Sequence, residues 1–228
     1  MKKGKLIVID GTDGSGKSTQ IDLLSKKLKS EGFKVKSIHF PHYENFMGGF
    51  IGHCLTEQYY NFINVHPKIV SVLYAADRWE SSKEINKYLD KGYMVVLDRY
   101  VSANQIHQGG KIKNVAKRVA FLKWLDEMEY KVFKIPRPDL TVYLSLPIHF
   151  VEMLIEERNK KAARAYAGNK KDVHEVDRNF KENSIKSALW LAKTQKNWVK
   201  IECIKNGKLD TRENIHAKVY EKVKKVLK

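Results

Sequence analysis

The stretch Gly11-Thr12-Asp13-Gly14-Ser15-Gly16-Lys17-Ser18 has the pattern G-x-x-x-x-G-K-S. The apolar run Leu6-Ile7-Val8-Ile9 precedes it and, being rich in β-branched residues, predicts a buried strand. After it, Ile21, Leu24 and Leu28 are spaced i, i+3, i+7, which predicts one apolar face of a helix. A strand, a glycine loop and a helix in this order are the context in which the pattern forms a phosphate-binding loop.

The residue types inside this loop suit phosphate chemistry. Glycines let the backbone fold around a phosphate with its N–H groups pointing inward, and the following helix N-terminus adds partial positive charge. Lys17 can reach the β- and γ-phosphates of a nucleotide, and Ser18 offers a hydroxyl to Mg²⁺. The alternative is a plain glycine turn with a solvated Lys17, and the flanking strand and helix disfavour it.

The amino-acid composition limits the classes of protein to which this chain can belong. The 228 residues can bury a full core in one domain, and 43% hydrophobic with 30% charged residues is typical of a soluble globular chain. Two cysteines, Cys54 and Cys203, give neither a disulfide framework nor zinc spacing, which favours a reducing, cytoplasmic environment. Because the N-terminus leads straight into the predicted first strand, we expect no signal peptide, and no apolar run is long enough to span a membrane.

The formal net charge of +17 alone would indicate a nucleic-acid partner. The lysines, however, are scattered from Lys2 to Lys228 and accompany no recognised nucleic-acid module. We therefore interpret most of them as solvated residues of helix faces and expect no nucleic acid and no membrane as partners. The positive field would also favour the approach of anionic substrates.

Strands and helices are predicted to alternate along the chain, which indicates a parallel sheet covered by helices on both faces. The predicted strands number about five, at residues 6–9, 34–40, 93–97, 140–144 and 199–203. The predicted helices cover residues 19–28, 46–60, 67–90, 115–130, 147–158, 178–196 and the C-terminal segment. Residues 160–177 are polar and highly charged and predict a mobile loop. Since no linker or repeat interrupts the pattern, we expect a single α/β domain over residues 1–228.

A second informative strand end is Asp98-Arg99-Tyr100, because ligands of parallel α/β sheets bind beyond the carboxyl ends of the strands. An acidic residue at this position can hold Mg²⁺ as a Walker-B aspartate does, although a helix cap is the alternative for Asp98. Arg99 is suited to bidentate contact with a phosphate. Two other patterns are interpreted as chance matches: N-K-x-D at 169–172 follows no strand, and His174-Glu175 lacks a second histidine.

Taken together, several segments resemble the thymidylate kinases, a family of P-loop nucleoside monophosphate kinases. The segments occur in the family's order and cover nearly the whole chain: residues 10–20, Phe40-Pro41-His42-Tyr43, residues 74–80, Asp98-Arg99-Tyr100 with Asn104, His107 and Gln108, residues 138–140, and a lid at roughly 158–178. The resemblance implies a three-layer P-loop kinase fold with a mobile lid. It also implies transfer of the ATP γ-phosphoryl group to dTMP, giving dTDP for dTTP synthesis, with Mg²⁺ as cofactor.

The resemblance also assigns roles to residues. ATP would be held by Gly11, Thr12, Asp13, Gly14, Ser15, Gly16, Lys17, Ser18 and Thr19, with Mg²⁺ near Ser18 and Asp98. On the acceptor, Asp13 would bind the 3′-hydroxyl, Arg99 the phosphate, and Arg78 either the base or the phosphate. Tyr74 would stack on thymine, and Phe40 and Tyr43 would line the acceptor site. Asn104, His107 and Gln108 would lie near the base. For Tyr74, ordinary core packing is an equally good interpretation.

The chain departs from the family's pattern at several places. His42-Tyr43 stands where many relatives carry an arginine, Ala103 where a serine is common, and His107 where a tyrosine is common. Gly14 stands where some relatives have a catalytic arginine in the loop, and the relatives that have glycine there supply the arginine from the lid instead. We therefore expect Lys17, Arg99, Asp13 and a lid arginine, Arg158 or Arg164, to carry catalysis.

Alternatives stay open at this stage. A kinase for another nucleotide or a deoxynucleoside shares these motifs, whereas a nucleic-acid-dependent P-loop ATPase would use the net charge. A GTP-dependent switch is disfavoured because its guanine motif lacks a strand. The family is usually dimeric, so we expect a homodimer through helices that flank the sheet. The apolar residues Val119, Leu122 and Leu125 could belong to that contact or to the core.

Overall fold

The computed structural model describes residues 3–56, 59, 62–163 and 177–227, without the side chains of 158–163. Its centre is a five-stranded parallel sheet in the order β2-β3-β1-β4-β5. The strands are β1 (Lys5–Gly11), β2 (Val35–His39), β3 (Met94–Asp98), β4 (Leu140–Ser145) and β5 (Trp198–Glu202). Because β1 lies between β3 and β4, the loop after β1 is flanked by the carboxyl ends of both neighbours.

Helices cover the two faces of this sheet. They are α1 (Lys17–Ser30), α2 (Phe46–Leu55), α3 (Pro67–Asp90), α4 (Val101–Ala103), α5 (Val115–Asp126), α6 (Ile148–Ala163), α7 (Arg178–Thr194) and α8 (Arg212–Leu227). Two of them continue as π-helix, α4 through Asn104–Gln108 and α5 through Glu127–Val132. A small antiparallel hairpin, β6 (Ile204–Lys205) with β7 (Lys208–Leu209), precedes α8.

Alternation along β1 explains the three layers. Leu6 and Val8 point to one face, where α3, α4, α5 and α7 pack, whereas Ile7 and Ile9 point to the other, where α1, α6 and α8 pack. All four side chains are at most 1% exposed, as expected for a parallel strand covered on both faces. A smaller third cluster joins α2 to the start of α3.

The predicted α/β architecture is confirmed, with differences at the ends of elements. Helix α3 begins at Pro67 and ends at Asp90, as predicted, because proline fits the first turn and Lys91-Gly92 ends the helix. Helix α2 ends at Leu55 rather than near residue 60. Helix α6 runs to Ala163, past its predicted end at residue 158, so the first part of the predicted loop is helical.

The packing resolves one further expectation, and it shows one helical segment that the sequence did not predict. Leu122 and Leu125 are buried in the core beneath α5, which decides between core and dimer contact for both residues. The helical segment after Tyr100 was not predicted, because three residues of α-helix followed by a π-helix leave no 3.6-residue apolar pattern to detect. Among the described residues, no helix is both long enough and apolar enough to cross a membrane.

Candidate active site

The glycine loop between β1 and α1 adopts the backbone geometry that its sequence predicts. Gly14 and Gly16 have φ values of 80° and 85°, in the left-handed region that disfavours a side chain. Gly16 is the residue before α1, and within the described chain no side chain caps this helix end. The first N–H groups of α1, which have no intrahelical acceptors, are therefore available to a phosphate.

Lys17 folds back over this loop. Its Nζ donates to the carbonyl oxygens of Gly11 at 3.2 Å and Thr12 at 3.1 Å, and it lies 3.5 Å from Asp13 Oδ1. Burial and the nearby Arg99 cation lower the pKa of Lys17, although the surrounding carboxylates act in the opposite direction. The ammonium group therefore lies at the opening of the loop. There it can exchange its hydrogen bonds to backbone carbonyls for hydrogen bonds to phosphate oxygens.

Asp98 reaches the same place because β3 pairs with β1, Ile9 being registered with Asp98. Its Oδ1 is buried and accepts no hydrogen bond within the described part of the chain, and the buried hydroxyls of Thr12 and Ser15 are likewise unpartnered there. Ser18 lies in the first turn of α1 and is exposed. A buried carboxylate oxygen without a partner is an expected ligand for a cation bound beside the loop.

Arg99 lies at the boundary between the loop and a neighbouring pocket. Its Nη2 donates to Asp13 Oδ1 at 2.5 Å, and Nη1 contacts His107 Nε2 at 3.0 Å and Asp10 Oδ1 at 3.5 Å. Burial would lower the pKa of Arg99, but the carboxylates of Asp13, Asp10 and Asp98 outweigh burial and raise it. The residue also has a φ of 62°, so its backbone sits in the sparsely populated left-handed region.

Asp13 is held ionised by this arrangement. Burial alone would raise its pKa, but the positive charges of Arg99 and Lys17 outweigh that effect and hold the pKa well below its usual range. An ionised carboxylate only accepts hydrogen bonds, so Asp13 can receive a proton donor such as a sugar hydroxyl.

The pocket beside Arg99 brings together all nine residues predicted to bind the acceptor. They are Asp13, Phe40, Tyr43, Tyr74, Arg78, Arg99, Asn104, His107 and Gln108, and Pro41, Leu55, Tyr100 and Ala103 complete the lining. These residues come from the P-loop, the segment after β2, α2, α3, the end of β3 and α4. The pocket is therefore assembled by the fold, and the individual roles of its residues remain predictions.

The inner end of the pocket contains a buried ion pair. Arg78 is 1% exposed and donates from Nε and Nη2 to Glu129 at 2.6 and 2.5 Å, while Nη1 lies 3.4 Å from the carbonyl oxygen of Tyr100. This pairing gives no support to the alternative that Arg78 binds the acceptor phosphate, because Glu129 already neutralises its charge. Contact of Arg78 with a base stays a prediction.

The π-helical segment after α4 supplies three pocket residues. Asn104 and Gln108 are nearly fully buried, and Gln108 Oε1 is a buried acceptor without a partner among the described residues. His107 stacks on Phe180 of α7 with ring centroids 5.6 Å apart, and its Nδ1 lies 3.0 Å from Ser184 Oγ. Because the guanidinium of Arg99 can only donate, His107 Nε2 must accept, which places the ring proton on Nδ1.

The outer wall is the segment Phe40-Pro41-His42-Tyr43, whose Phe40–Pro41 peptide bond is cis. The N–H of Phe40 donates to the carbonyl of Asp98 at 2.9 Å, and the N–H of His42 donates to the carboxylate of Asp77. Gly48 lets α2 approach this segment, since a Cβ there would lie 2.0 Å from the carbonyl oxygen of His42. Tyr74 faces the pocket from α3 and contacts the Phe62 ring edge-to-face.

Sequence reasoning assigned no role to the buried acids Asp10, Asp77 and Glu129. Asp10 has no exposed surface and accepts from Ser102 Oγ, Gly11 N and Arg99. Burial raises its pKa more than the Arg99 charge lowers it. Glu129 lies in an ordinary-looking charged stretch, and nothing in the sequence distinguishes it from the exposed Glu127. Only the folded structure distinguishes Glu129, because the π-helix that continues α5 places its side chain opposite Arg78.

Several predicted positions fall outside the description. Arg158 belongs to α6, but its side chain is not described. Arg164, the N-K-x-D match at 169–172, and His174-Glu175 lie outside the described residues, as does most of the predicted lid.

The order of the strands, the glycine loop at the end of β1 and the acidic residue at the end of β3 define the fold of P-loop nucleotide kinases. A thymidylate kinase structure from Candida albicans has this fold: it aligns with a TM-score of 0.73 over 98% of this chain and 92% of its own, at 23% identity.

Sequence comparison gives the family. A family model described as thymidylate kinase matches residues 9–215. The chain is 34% identical over 151 residues to a thymidylate kinase of Plasmodium falciparum, covering 66% of each chain, and 32% identical over 171 residues to a probable thymidylate kinase of Pyrobaculum aerophilum, covering 75% of this chain and 79% of that one. The matched part thus spans just under two thirds of the Plasmodium relative. The chain belongs to the thymidylate kinase family.

Proposed function

We propose that this protein transfers the γ-phosphoryl group of ATP to dTMP, giving ADP and dTDP for dTTP synthesis. The observation that carries the proposal is that the pocket lined by all nine predicted acceptor residues lies directly beside the glycine loop, with Arg99 and Asp13 between them. Family membership supports the choice of dTMP as the acceptor.

The proposed reaction is an in-line displacement. A phosphate oxygen of dTMP attacks the γ-phosphorus of ATP, the bond to the β,γ-bridging oxygen breaks, and the electron pair leaves with ADP. The attacking oxygen is already an anion at neutral pH because the second pKa of a phosphate monoester is about 6, so no general base is required. Catalysis then depends on alignment and on neutralising charge, which Lys17 and Arg99 supply.

Each end of the acceptor has a matching group. Arg99 would bind the phosphate of dTMP, and the ionised carboxylate of Asp13 would accept a hydrogen bond from the 3′-hydroxyl. Tyr74 and Phe40 would enclose the base, with Asn104 and Gln108 at its polar edge. For ATP, the amides at the start of α1 and the stored ammonium of Lys17 are suited to the β- and γ-phosphates.

The residues present also fit the proposed Mg²⁺. Ser18 and Asp98 would hold it, and the unpartnered Oδ1 of Asp98 is the observation in favour. When bound, Mg²⁺ neutralises part of the charge on the phosphates. Since Gly14 leaves the loop without an arginine, we propose that Arg158 or Arg164 supplies the last positive charge.

The test is a coupled assay of ADP release with ATP and Mg²⁺ against a panel of acceptors: dTMP, dUMP, dCMP, dGMP, AMP, thymidine and single-stranded DNA. The highest kcat/KM with dTMP would support the proposal. A preference for thymidine would favour a nucleoside kinase, and ADP release only with DNA would favour the nucleic-acid-dependent ATPase.

We also propose that the protein is a homodimer through α3 and α5. The apolar side chains of Ile69, Val72 and Trp79 lie along one face of α3 and are 57%, 39% and 58% exposed, and Val115 at the start of α5 is 57% exposed. The two helices are adjacent, since Lys68 of α3 lies over the Trp124 ring of α5 at 4.8 Å. A second copy of this face would bury these side chains.

Light scattering at micromolar concentration tests the dimer. The expected mass is twice 26.5 kDa, and Val72→Glu should shift it towards one chain because the charge would be buried in the contact. Lys26→Glu, at an exposed site of α1 on the opposite face of the sheet, is the control for the added charge. A wild-type protein of single-chain mass would contradict the proposed dimer.

A further inference from the structure

We propose that Glu129 is a positioning residue that fixes the hydrogen-bonding polarity of the acceptor pocket. The inference rests on the proposed function, because it concerns the base of the acceptor monophosphate. Glu129 itself lines no part of the pocket and would act through Arg78 and Asn104, which do.

The carboxylate of Glu129 is completely buried and accepts three hydrogen bonds. Oε2 accepts from Arg78 Nε at 2.6 Å, and Oε1 accepts from Arg78 Nη2 at 2.5 Å and from Asn104 Nδ2 at 3.3 Å. Three N–H donors and a guanidinium charge require an ionised carboxylate here. The π-helical turn that follows α5 delivers this side chain into the core.

The amide of Asn104 is oriented as a consequence. Its Nδ2 donates to the carbonyl oxygen of Ser71 at 3.1 Å as well as to Glu129, and both of these partners can only accept. Both amide hydrogens are therefore used inside the protein. The remaining polar atom, Oδ1, is the one that Asn104 can offer to a ligand in the pocket.

This polarity has a chemical consequence for the base. A fixed acceptor pairs with a ring N–H, which thymine carries at N3, whereas the corresponding nitrogen of cytosine is itself an acceptor. If the amide were free to rotate, it could present its NH₂ group and accept cytosine equally well. Glu129 thus contributes to selection between the two pyrimidines without touching either one.

The experiment compares kcat/KM for dTMP and for dCMP in the wild type and in Glu129→Gln. The glutamine amide has a single acceptor oxygen, so at least one of the three N–H donors loses its partner and the arrangement that orients Asn104 is weakened. Loss of a hydrogen bond to a charged group predicts that the dTMP-to-dCMP ratio falls by about tenfold or more. The KM for ATP should stay near the wild-type value, since the glycine loop is not involved.

Two further variants keep the test decisive. Glu129→Asp retains the charge beside Arg78 but withdraws the carboxylate by one methylene, so the 3.3 Å contact with Asn104 should be lost. The ratio of kcat/KM for dTMP to that for dCMP should then fall. This variant gives the test if Glu129→Gln does not fold. Asp139→Asn is the matched control: it also converts a carboxylate into an amide, but its partners are Lys5 Nζ and the N–H of Leu6, at the opposite end of the sheet.

A purely structural role predicts a different result. Both acceptors would then lose kcat/KM by the same factor, the ratio would equal that of wild type, and the inference would be overturned. An unchanged ratio in a folded Glu129→Asp would overturn it as well. Failure of the proposed function is recognised separately, because in that case the wild type itself would not prefer dTMP.

Discussion

Replacing Arg99 by alanine should weaken the binding of the acceptor monophosphate far more than the binding of ATP. The guanidinium is aimed at the boundary between loop and pocket by Asp13 at 2.5 Å and His107 at 3.0 Å. A hydrogen bond to a charged group contributes about 1.5–3 kcal/mol, which corresponds to a rise of about 10- to 150-fold in the KM for dTMP. ATP keeps Lys17 and the amides of the loop, so its KM should change much less.

The same substitution also removes a cation from two carboxylates, and this effect on stability must be separated from binding. Breaking a buried ion pair costs about 3–5 kcal/mol, but here that is an upper limit. Asp10 keeps its bonds from Ser102 and Gly11 and lies 3.5 Å from Arg99, while Asp13 keeps Lys17. Arg99→Lys isolates the binding effect, because it retains the charge but not the two-pronged geometry.

The assay is steady-state ADP release, varying dTMP at saturating ATP and then ATP at saturating dTMP. Thermal unfolding of each variant is recorded beside it. We expect both variants to lose affinity for dTMP, Arg99→Lys with nearly the melting temperature of wild type. Equal increases of the two KM values in a folded variant would refute the assignment of Arg99 to the acceptor.

The remaining predictions concern the loop, the pocket wall and one half-buried lysine, Lys111. Lys17→Ala should abolish nearly all turnover while the circular dichroism spectrum stays that of a folded protein, and a normal kcat would contradict the role of the loop. Gly48→Ala should raise the KM for dTMP but not for ATP, because the new Cβ would lie 2.0 Å from the carbonyl oxygen of His42 and displace the pocket wall; unchanged kinetics would mean that this wall does not bind the acceptor. Burial lowers the pKa of Lys111 to about 8, whereas in the unfolded chain it is about 10.4, so between these values the unfolded state binds more protons and the free energy of unfolding rises with pH. Urea unfolding should therefore show that the free energy of unfolding of wild type increases relative to that of Lys111→Met from about pH 8 to pH 10. If the difference between the two free energies stayed constant over this range, the pKa of Lys111 would not be lowered in the folded protein.

Much of the fold was predictable because its signals are local. The β-branched apolar run from Leu6 to Ile9 favours a strand buried on both faces, and Pro67 favours a helix start through its backbone geometry. The pocket was predictable for another reason: the motifs lie at the carboxyl ends of strands and on α3 and α4, and the parallel topology gathers such positions at one edge.

What could not be predicted depends on contacts between distant segments. Glu129 is 51 residues from Arg78 in sequence, and only their common burial distinguishes it from a surface acid. Binding of the acceptor phosphate by Arg78 gained no support, because the sequence did not reveal that Glu129 is the buried partner that orients the guanidinium. The π-helical turns of α4 and α5 follow from packing rather than from propensity, so the local sequence does not reveal them.

Phosphorus NMR of the reaction mixture shows directly whether the γ-phosphoryl group of ATP ends on dTMP. With Mg²⁺ and equal amounts of ATP and dTMP, we expect the β-phosphate signal of dTDP to grow in step with that of ADP, with almost no inorganic phosphate. A mixture that accumulates ADP and inorganic phosphate, with no dTDP signal, would refute the proposed transfer and define the protein as a nucleotide hydrolase instead.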